Sequence, residues 1–371
     1  MKNILITGAD GFIGKNLTAG FRQQKEFELL LFDKDDNADK LEEYITSADI
    51  VYHLAGINRP KKESEFETGN VEFLENVLTL CKKNARKIPI VLTSSIQADL
   101  DNPYGISKRR AEETLMKYGI DNDVKVYVYR LKNVFGKWCR PNYNSAVATF
   151  CYNIANDLPI TVSDRENVVN LVYVDDIVEK FIKITGYKYQ DKAKFYHEID
   201  ISYSKTLGEV TDLLHKFRAS RETCMLPDVN DGFEKKLYST YLSYLPEDRF
   251  SYPLKMNVDE RGSFTEFLKS DERGQVSVNI SKPGITKGDH WHNTKTEKFL
   301  VVYGSGIIRF RQINSVDVFE YRVSGEKLEV VDIPPGYTHN ISNTGDSDMV
   351  TVMWANEKFN PENPDTYYLK V

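Results

Sequence analysis

Two groups of side chains in this sequence carry chemistry. One is Ser95, Tyr104 and Lys108; the other is His290, His292, Glu297 and His339. Tyr104 and Lys108 stand four apart in Y-G-I-S-K, which on a helix puts phenol and ammonium on one face. A cation beside a phenol favours the phenolate and lowers its pKa from about 10. A hydroxyl such as Ser95 at a strand's carboxyl end can hydrogen-bond a substrate carbonyl opposite. Tyrosine as proton donor, lysine as tuner and serine as polariser suit hydride transfer to a ketone. The spacing alone is common by chance in a chain with 22 tyrosines; position after a strand gives it weight.

The second group begins in H-W-H-N-T-K-T-E, His290–Glu297. Alternation along a strand places His290 and His292 on the same face. Imidazole and carboxylate ligands suit a divalent ion of the zinc class. With Glu297 and His339 the set can close around the ion; with one turned away, a position stays open for water or substrate. The apolar run after Glu297 is expected to form a dry wall. The competing reading is a metal-free polar network.

The elements that must hold the first group begin at T-G-A-D-G-F-I-G, Thr7–Gly14. It follows a buried-strand pattern at Ile4–Ile6 and leads into a helix over Phe12–Phe21. Gly8 allows the turn out of the strand. Gly11 leaves room for a pyrophosphate, and Gly14 lets the helix pack closely. The helix N-terminus offers N–H groups and positive dipole to phosphate. Further strands are read at Glu28–Phe32, Ile50–Leu54, Ile88–Leu92 and Val124–Arg130. Helices are read at Ala38–Thr46, from Asn70 to Leu80, and from Tyr104 to about Lys117. Asp33, after the second strand, suits a ribose 2′-hydroxyl and hence NAD; Lys34 suits a 2′-phosphate and hence NADP. The choice leans to NADPH over NADH. His53 reads as packed or capping. Arg140, Asn142, Tyr143 and Asn144 form a polar loop that could hold a sugar diphosphate or be ordinary surface. A strand at Asn167–Val174, a helix at Asp176–Thr185 and a Thr206/Glu209 capping box before a helix to Phe217 complete this half.

From Leu226 to Pro253 the pattern breaks into a Tyr-rich connector holding Tyr238, Tyr241 and Tyr244. Beyond it the period is two. Val276–Ser281, Lys298–Tyr303, Ile307–Gln312, Val316–Val323, Glu329–Ile333 and Met349–Ala355 read as short strands of an all-β barrel or jelly roll. The domains are expected at 1–245 and 246–371.

At 371 residues two domains are the prior, and 41% hydrophobic content supplies their cores. A net charge of −6 gives no reason to expect a nucleic-acid partner. Four scattered cysteines without a C-x-x-C pair, and Met1 so close to the first strand, suggest a cytoplasmic chain without a signal peptide. No apolar run approaches the ~20 residues that span a bilayer.

The first half resembles the extended short-chain dehydrogenase/reductase family. The glycine turn, H-L-A-G (His53–Gly56), the serine run, Y-x-x-x-K, R-L-K-N-V-F-G (Arg130–Gly136) and Y-V-D-D (Tyr173–Asp176) occur in that family's order. The resemblance implies a Rossmann-like doubly wound parallel sheet. It makes Ser95 the polarising hydroxyl, Ser94 its neighbour, Tyr104 the acid and Lys108 its partner. The cofactor would lie on Gly8, Asp10, Gly11, Phe12, Ile13, Gly14, Lys34, Leu54 and Ala55, with Tyr104 and Lys108. The second half resembles the cupin superfamily, which implies a jelly-roll barrel. Gly284, His290, His292, Glu297 and Gly304 fit its first motif. Pro334, Gly336, His339 and Asn343 fit the core of its second. D-E-R-G-S-F-T-E (Asp259–Glu266) resembles the opening of nucleotide-sugar 3,5-epimerases; Arg261 and Glu266 could touch sugar or phosphate or serve structural roles.

In the order reductase then cupin, the chain resembles the CapF-type family of capsular-polysaccharide enzymes, most densely at Lys132–Cys139, Pro141–Ser145 and through the barrel. That resemblance implies a bifunctional enzyme. Its barrel would epimerise C3 of a UDP-linked 2-acetamido-2,6-dideoxy-4-ketohexose. Its first domain would reduce C4 with NADPH to UDP-N-acetyl-6-deoxy-L-talose, toward UDP-N-acetylfucosamine for capsule or O-antigen. Tyr337, Lys287 and a metal-bound hydroxide are candidate bases for epimerisation, and Lys287 could instead bind the pyrophosphate. The alternative is a single-function NAD(P)H-dependent 4-ketoreductase with a structural, dimerising barrel. A homodimer is expected in either case.

Overall fold

A computed structural model describes residues 1–186 and 194–371. The chain forms two compact units, Met1–His215 with Asn230–Pro246, and Lys216–Val229 with Glu247–Val371.

Among the described residues, nine strands belong to the first unit: β1 (Lys2–Thr7), β2 (Phe27–Phe32), β3 (Ile50–His53), β4 (Ile90–Ser95), β5 (Val126–Leu131), β6 (Asn133–Phe135), β7 (Val168–Tyr173), β8 (Tyr196–His197) and β9 (Tyr203–Thr206). Its main sheet runs β2-β1-β3-β4-β5-β8, all parallel. The helices are α1 (Phe12–Arg22), α2 (Ala38–Ser47), α3 (Ser64–Glu67), α4 (Phe73–Lys83), α5 (Pro103–Asn122), α6 (Ala146–Ala155), α7 (Val174–Gly186), α8 (Leu207–Thr223) and α9 (Gly232–Leu242).

Alternation within the strands explains why both faces are covered. Leu5, Val51, Ile90, Leu92, Val126 and Val128 pack on one side with α2, α4 and α5. Ile4, Ile6, Ile50, Tyr52, Val91, Tyr127 and Tyr129 pack on the other with Leu17 and Phe21 of α1 and Ile177 and Phe181 of α7. A strand buried on both sides has no polar face, which is why these segments read as continuous apolar runs. This is a Rossmann-like sheet. Between β1 and β3 its strand order reverses, opening the crevice where such sheets take ligands.

The serines expected just beyond the fourth strand lie within it, because β4 pairs with β5 as far as Ser95 and Leu131. The helix read from Asn70 starts as a π-turn, Thr68–Glu72, before α4. The segment 226–253 is not a bare connector. Asp231 caps α9 through Glu234 N at 2.8 Å, and Phe233, Leu237 and Tyr241 are buried. Its single polar cap and irregular apolar spacing hid that helix. The Thr206/Glu209 box forms in both directions, at 3.0 and 2.7 Å. Before α9 the chain already visits the second unit: Met225 bridges Lys269, and Leu226 N donates to Lys269 O at 2.8 Å.

The second unit is antiparallel. Its strands are β10 (Met256–Asp259), β11 (Gly262–Ser270), β12 (Gly274–Ser281), β13 (Thr286–Trp291), β14 (Glu297–Tyr303), β15 (Ser305–Gln312), β16 (Val318–Ser324), β17 (Val330–Ile333), β18 (Tyr337–Asn343), β19 (Met349–Ala355) and β20 (Tyr367–Tyr368). One sheet runs β10-β11-β12-β19-β14-β17 and the other β16-β15-β18-β13-β20. Phe299, Val301, Ile308, Phe310, Ile333, Ile341 and Met349 form its apolar core. All four cysteines are free thiols. No helix among the described residues is long and apolar enough to cross a membrane.

Candidate active site and candidate metal centre

The turn after β1 is shaped by missing side chains. Gly8 has φ +72°, and a Cβ there would lie 2.7 Å from Ala55 N. A Cβ on Gly14 would lie 2.1 Å from Gly8 O, so α1 can start only if that position is glycine. Gly11 caps α1 without any side-chain hydrogen bond. The first N–H groups of the helix, at Phe12, Ile13 and Gly14, therefore face outward for an anion. Asp33 accepts from Asp10 N and Lys34 N, both at 2.8 Å, which fixes the rim beside exposed Lys34. Half-buried Leu54 and Ala55 follow β3 on the other side of the crevice. These features fit a dinucleotide. His53 is packed: it is buried, bonds Thr7 Oγ1 at 3.0 Å, and burial pushes it down to about 3.

Tyr104 meets Ser95 across a short connection, with Lys108 one turn further along α5. Gly105 permits it, since a Cβ there would lie 2.2 Å from Gln97 O. Asn102 accepts from Gly105 N at 2.8 Å, and Pro103 opens α5. Tyr104 is half-buried, and burial raises its phenol, opposed by a hydrogen bond with Ser95. The expected lowering by Lys108 is thus overturned: the ammonium is buried and donates to Thr93 O at 2.8 Å. Burial holds Lys108 down at about 8, with Glu112 opposing. Ser94 is taken by Glu112, which leaves Ser95 as the hydroxyl beside the phenol.

Sequence reasoning missed two buried groups here. Glu112 is fully buried, accepts from Tyr196 Oη at 3.0 Å and pairs with Arg130 at 2.6 Å. The Arg130 guanidinium lies 4.8 Å from the Tyr196 ring centre. The signal was the four-residue step Tyr104, Lys108, Glu112. Asn70, also buried, donates to Ser107 Oγ and Ile57 O, both at 2.9 Å. A Cβ on Gly56 would meet Asn70 Oδ1 at 2.8 Å and Lys108 Nζ at 3.8 Å. The π-turn that carries Asn70 has no simple sequence period to reveal it.

In the second unit, His290, His292, Glu297 and His339 converge, with one donor atom from each within 4.8 Å of the others. Pairing of β13 with β18 sets His290 against His339, and a bulge between Gly288 and His290 turns the strand end. His292 Nδ1 lies 2.6 Å from Asp365 O, an acceptor, so this nitrogen donates. On a neutral ring Nε2 is then a bare lone pair, 3.3 Å from Glu297 Oε2. Two acceptors facing each other call for a cation between them. His339 Nε2 is buried without a well-formed hydrogen bond, 3.4 Å from the same oxygen. Burial raises the Glu297 carboxyl, but the neighbouring His292 and His339 rings outweigh it and hold it down at about 2. Burial, then the neighbouring His339, pushes His290 down to about 4. A His290 imidazole held neutral beside a carboxylate is in the ligand state a divalent metal needs. The rings of Phe299 and Phe310 lie 6.0 and 6.3 Å from that of His339 and keep one side dry.

The other polar candidates in this unit are engaged. Arg261 pairs with Asp259 at 2.6 Å and Glu266 with Lys269 at 2.5 Å. Lys287 donates to Asn279 Oδ1 at 2.8 Å and Ile280 O at 2.9 Å, and burial lowers its pKa. Tyr337 lies beside Phe319, ring centres 6.1 Å apart. In the first unit Arg140 lies over the Tyr143 ring, 5.2 Å from its centre.

Residues 4–192 match the NAD dependent epimerase/dehydratase family, and residues 257–367 match the polysaccharide biosynthesis C-terminal domain. The chain is 46% identical to a UDP-2-acetamido-2,6-beta-L-arabino-hexul-4-ose reductase of Pseudomonas aeruginosa, over 99% of this chain and 98% of that one. It superposes on the capsular polysaccharide assembling protein CapF from Staphylococcus aureus with a TM-score of 0.92, 53% identity and full coverage of both chains. A UDP-glucuronic acid 4-epimerase from Bacillus cereus, bound to NAD, is similar at TM-score 0.52 and 20% identity over 58% of this chain and 83% of that one, a likeness of fold alone. The chain therefore belongs to the CapF-type family, in which an NAD dependent epimerase/dehydratase domain precedes a polysaccharide biosynthesis C-terminal domain.

Proposed function

We propose that this chain is a bifunctional nucleotide-sugar enzyme of polysaccharide biosynthesis, with a reductase in its first unit and a cupin-type, metal-dependent epimerase in its second. The substrate class is a UDP-linked 2-acetamido-2,6-dideoxy-4-ketohexose, in keeping with the name of the P. aeruginosa relative. The observation that carries the reading is the convergence of His290, His292, Glu297 and His339 in a chain that also holds Tyr104 against Ser95, with Lys108 one turn on along the same helix.

The 4-ketone serves both steps, because it acidifies the proton on C3 and is itself the hydride acceptor. In the second unit, His290, His292, Glu297 and His339 would hold a divalent ion of the zinc class. Such an ion, when bound, supplies positive charge against the negative charge that develops on the ketone oxygen. Loss of the C3 proton to a base on one face, then reprotonation from the opposite face, inverts C3.

In the first unit the turn Gly8–Gly14 would hold the pyrophosphate of NADPH, with Lys34 at the rim for a 2′-phosphate. The cofactor, when bound, supplies the hydride. Ser95 donates to the ketone oxygen. Tyr104 gives its proton to that oxygen as C4 becomes a carbinol carbon, which balances the addition of hydride and proton. A phenol kept protonated by burial suits an acid working at neutral pH. Lys108 holds positive charge beneath this reaction and is oriented by Thr93 O.

The test is NADPH oxidation with a UDP-4-keto-6-deoxy sugar, with and without metal removal. The intact protein is expected to consume NADPH and to yield the C3-inverted alcohol. The chelated protein is expected to lose that product. Turnover and product unchanged by demonstrated metal removal would contradict the metal-dependent step.

A further inference from the structure

The last residues of the chain lie against the candidate metal centre, and no motif in the sequence marks them. Strand β20 pairs with the end of β13, His290 with Tyr368 and Trp291 with Tyr367. Leu369 N donates to Asp289 O at 3.0 Å. The residue that stands out is Asp365. Its carboxylate accepts from Asn293 N at 3.0 Å, from Thr294 N and Lys295 N at 2.8 Å each, and from the Thr294 hydroxyl at 3.1 Å. Its carbonyl receives His292 Nδ1 at 2.6 Å. Every backbone N–H of the loop between His292 and Thr296 thus ends on one side chain. Buried Lys295 adds a hydrogen bond to Pro364 O, and one to Thr366 Oγ1 at 3.2 Å. Asp365 also has φ +41°, a conformation that Asp and Asn tolerate better than most residues.

We infer that Asp365 is a positioning residue for the metal centre, by which the C-terminal segment fixes the tautomer and aim of His292 and the loop that carries the chain to Glu297. The physical reason is that a hydrogen bond held at one ring nitrogen fixes the tautomer and turns the lone pair of the other toward a metal. Asp365 holds it through its carbonyl, while its carboxylate keeps the loop from swinging the ring away. The inference rests on the metal reading proposed above. It adds a residue that reaches the ion through His292 and not by coordination.

The experiment uses the full chain loaded with Zn2+ and compares wild type, Asp365→Ala and Asp365→Asn. Zinc affinity is measured by competition with a chromophoric chelator. Release rate and the melting temperatures of loaded and metal-free protein are measured alongside. Asp365→Ala is expected to weaken zinc binding by roughly 10- to 100-fold and to speed release. It should shrink the metal-dependent rise in melting temperature more than it moves the metal-free value. Asp365→Asn keeps one acceptor oxygen and tolerates the same backbone, so it is expected to fall between. A purely structural residue would lower both melting temperatures alike and leave affinity in the folded fraction unchanged. Wild-type affinity and release rate in either folded variant would overturn the inference. A wild-type chain that takes up no zinc would overturn the metal reading itself, a failure visible before any variant is made.

Discussion

Lys108 is the charged side chain whose state is most exposed to pH in the proposed reductive site. Burial lowers it to about 8, so in the free protein it is an ammonium below that pH and a neutral amine above it. If its charge supports hydride and proton addition, kcat/KM for ketone reduction should be flat below pH 7 and fall through a limb near 8. Tyr104, raised by burial, would lose its proton at higher pH still and steepen the fall. A Lys108→Met variant is expected to lose about 100-fold or more in rate and to lack that limb; a wild-type profile level to pH 10 would contradict the role. At the candidate metal centre, His290→Ala should abolish stoichiometric retention of a divalent ion by metal analysis, and full retention would refute the ligand set. Gly14→Ala tests the cofactor turn. With Gly8 O 2.1 Å from the added methyl, the start of α1 must shift, so NADPH affinity measured by fluorescence titration should fall by an order of magnitude or more.

At the scale of elements, Glu112 ties strand to helix. Ser94 on β4, Arg130 on β5 and Tyr196 on β8 all reach its carboxylate from α5. Removing it by Glu112→Ala leaves Arg130 half-satisfied by more exposed Asp99. The expected loss is about 3 kcal/mol of unfolding free energy, at the lower end for a broken buried pair because Arg130 is partly solvated. Urea unfolding measures it, and a loss well below 1 kcal/mol would mean the network is not holding these elements. This network also shows why parts of the site were hard to read from sequence. The parallel strands were legible because burial on both faces leaves unbroken apolar runs, as in Ile4–Ile6 and Ile50–Tyr52. The nearness of His290 and His292, ring centres 5.0 Å apart, was legible because they stand two apart at the end of a strand. Glu112, Asn70 and Asp365 were not, since each acts through a partner distant in sequence. Helix α9 was hidden by its single polar cap and irregular apolar spacing. The direction of the Tyr104 shift was misjudged because spacing shows that Lys108 shares its helix face but not that its ammonium turns to Thr93 O.

At the scale of the whole molecule, the proposed function has one substrate functional group, the 4-ketone, link two kinds of chemistry, one in each compact unit. The chain passes between these units more than once, so residues 216–229 fold with the second and 230–246 with the first. A clean cut after residue 245 would strand the 216–229 segment, which pairs with Lys269 through Met225 and Leu226. An isolated second unit begun at residue 216 should therefore be more soluble and melt higher than one begun at 246, by circular dichroism. Equal melting would show that the segment adds nothing. The proposed division of labour is tested most directly by Tyr104→Phe in heavy water with the UDP-linked 4-keto-6-deoxy sugar. Reduction should be lost while deuterium still enters C3, read by NMR or mass spectrometry. A folded, metal-loaded variant that leaves C3 unlabelled would contradict separate sites for the two steps.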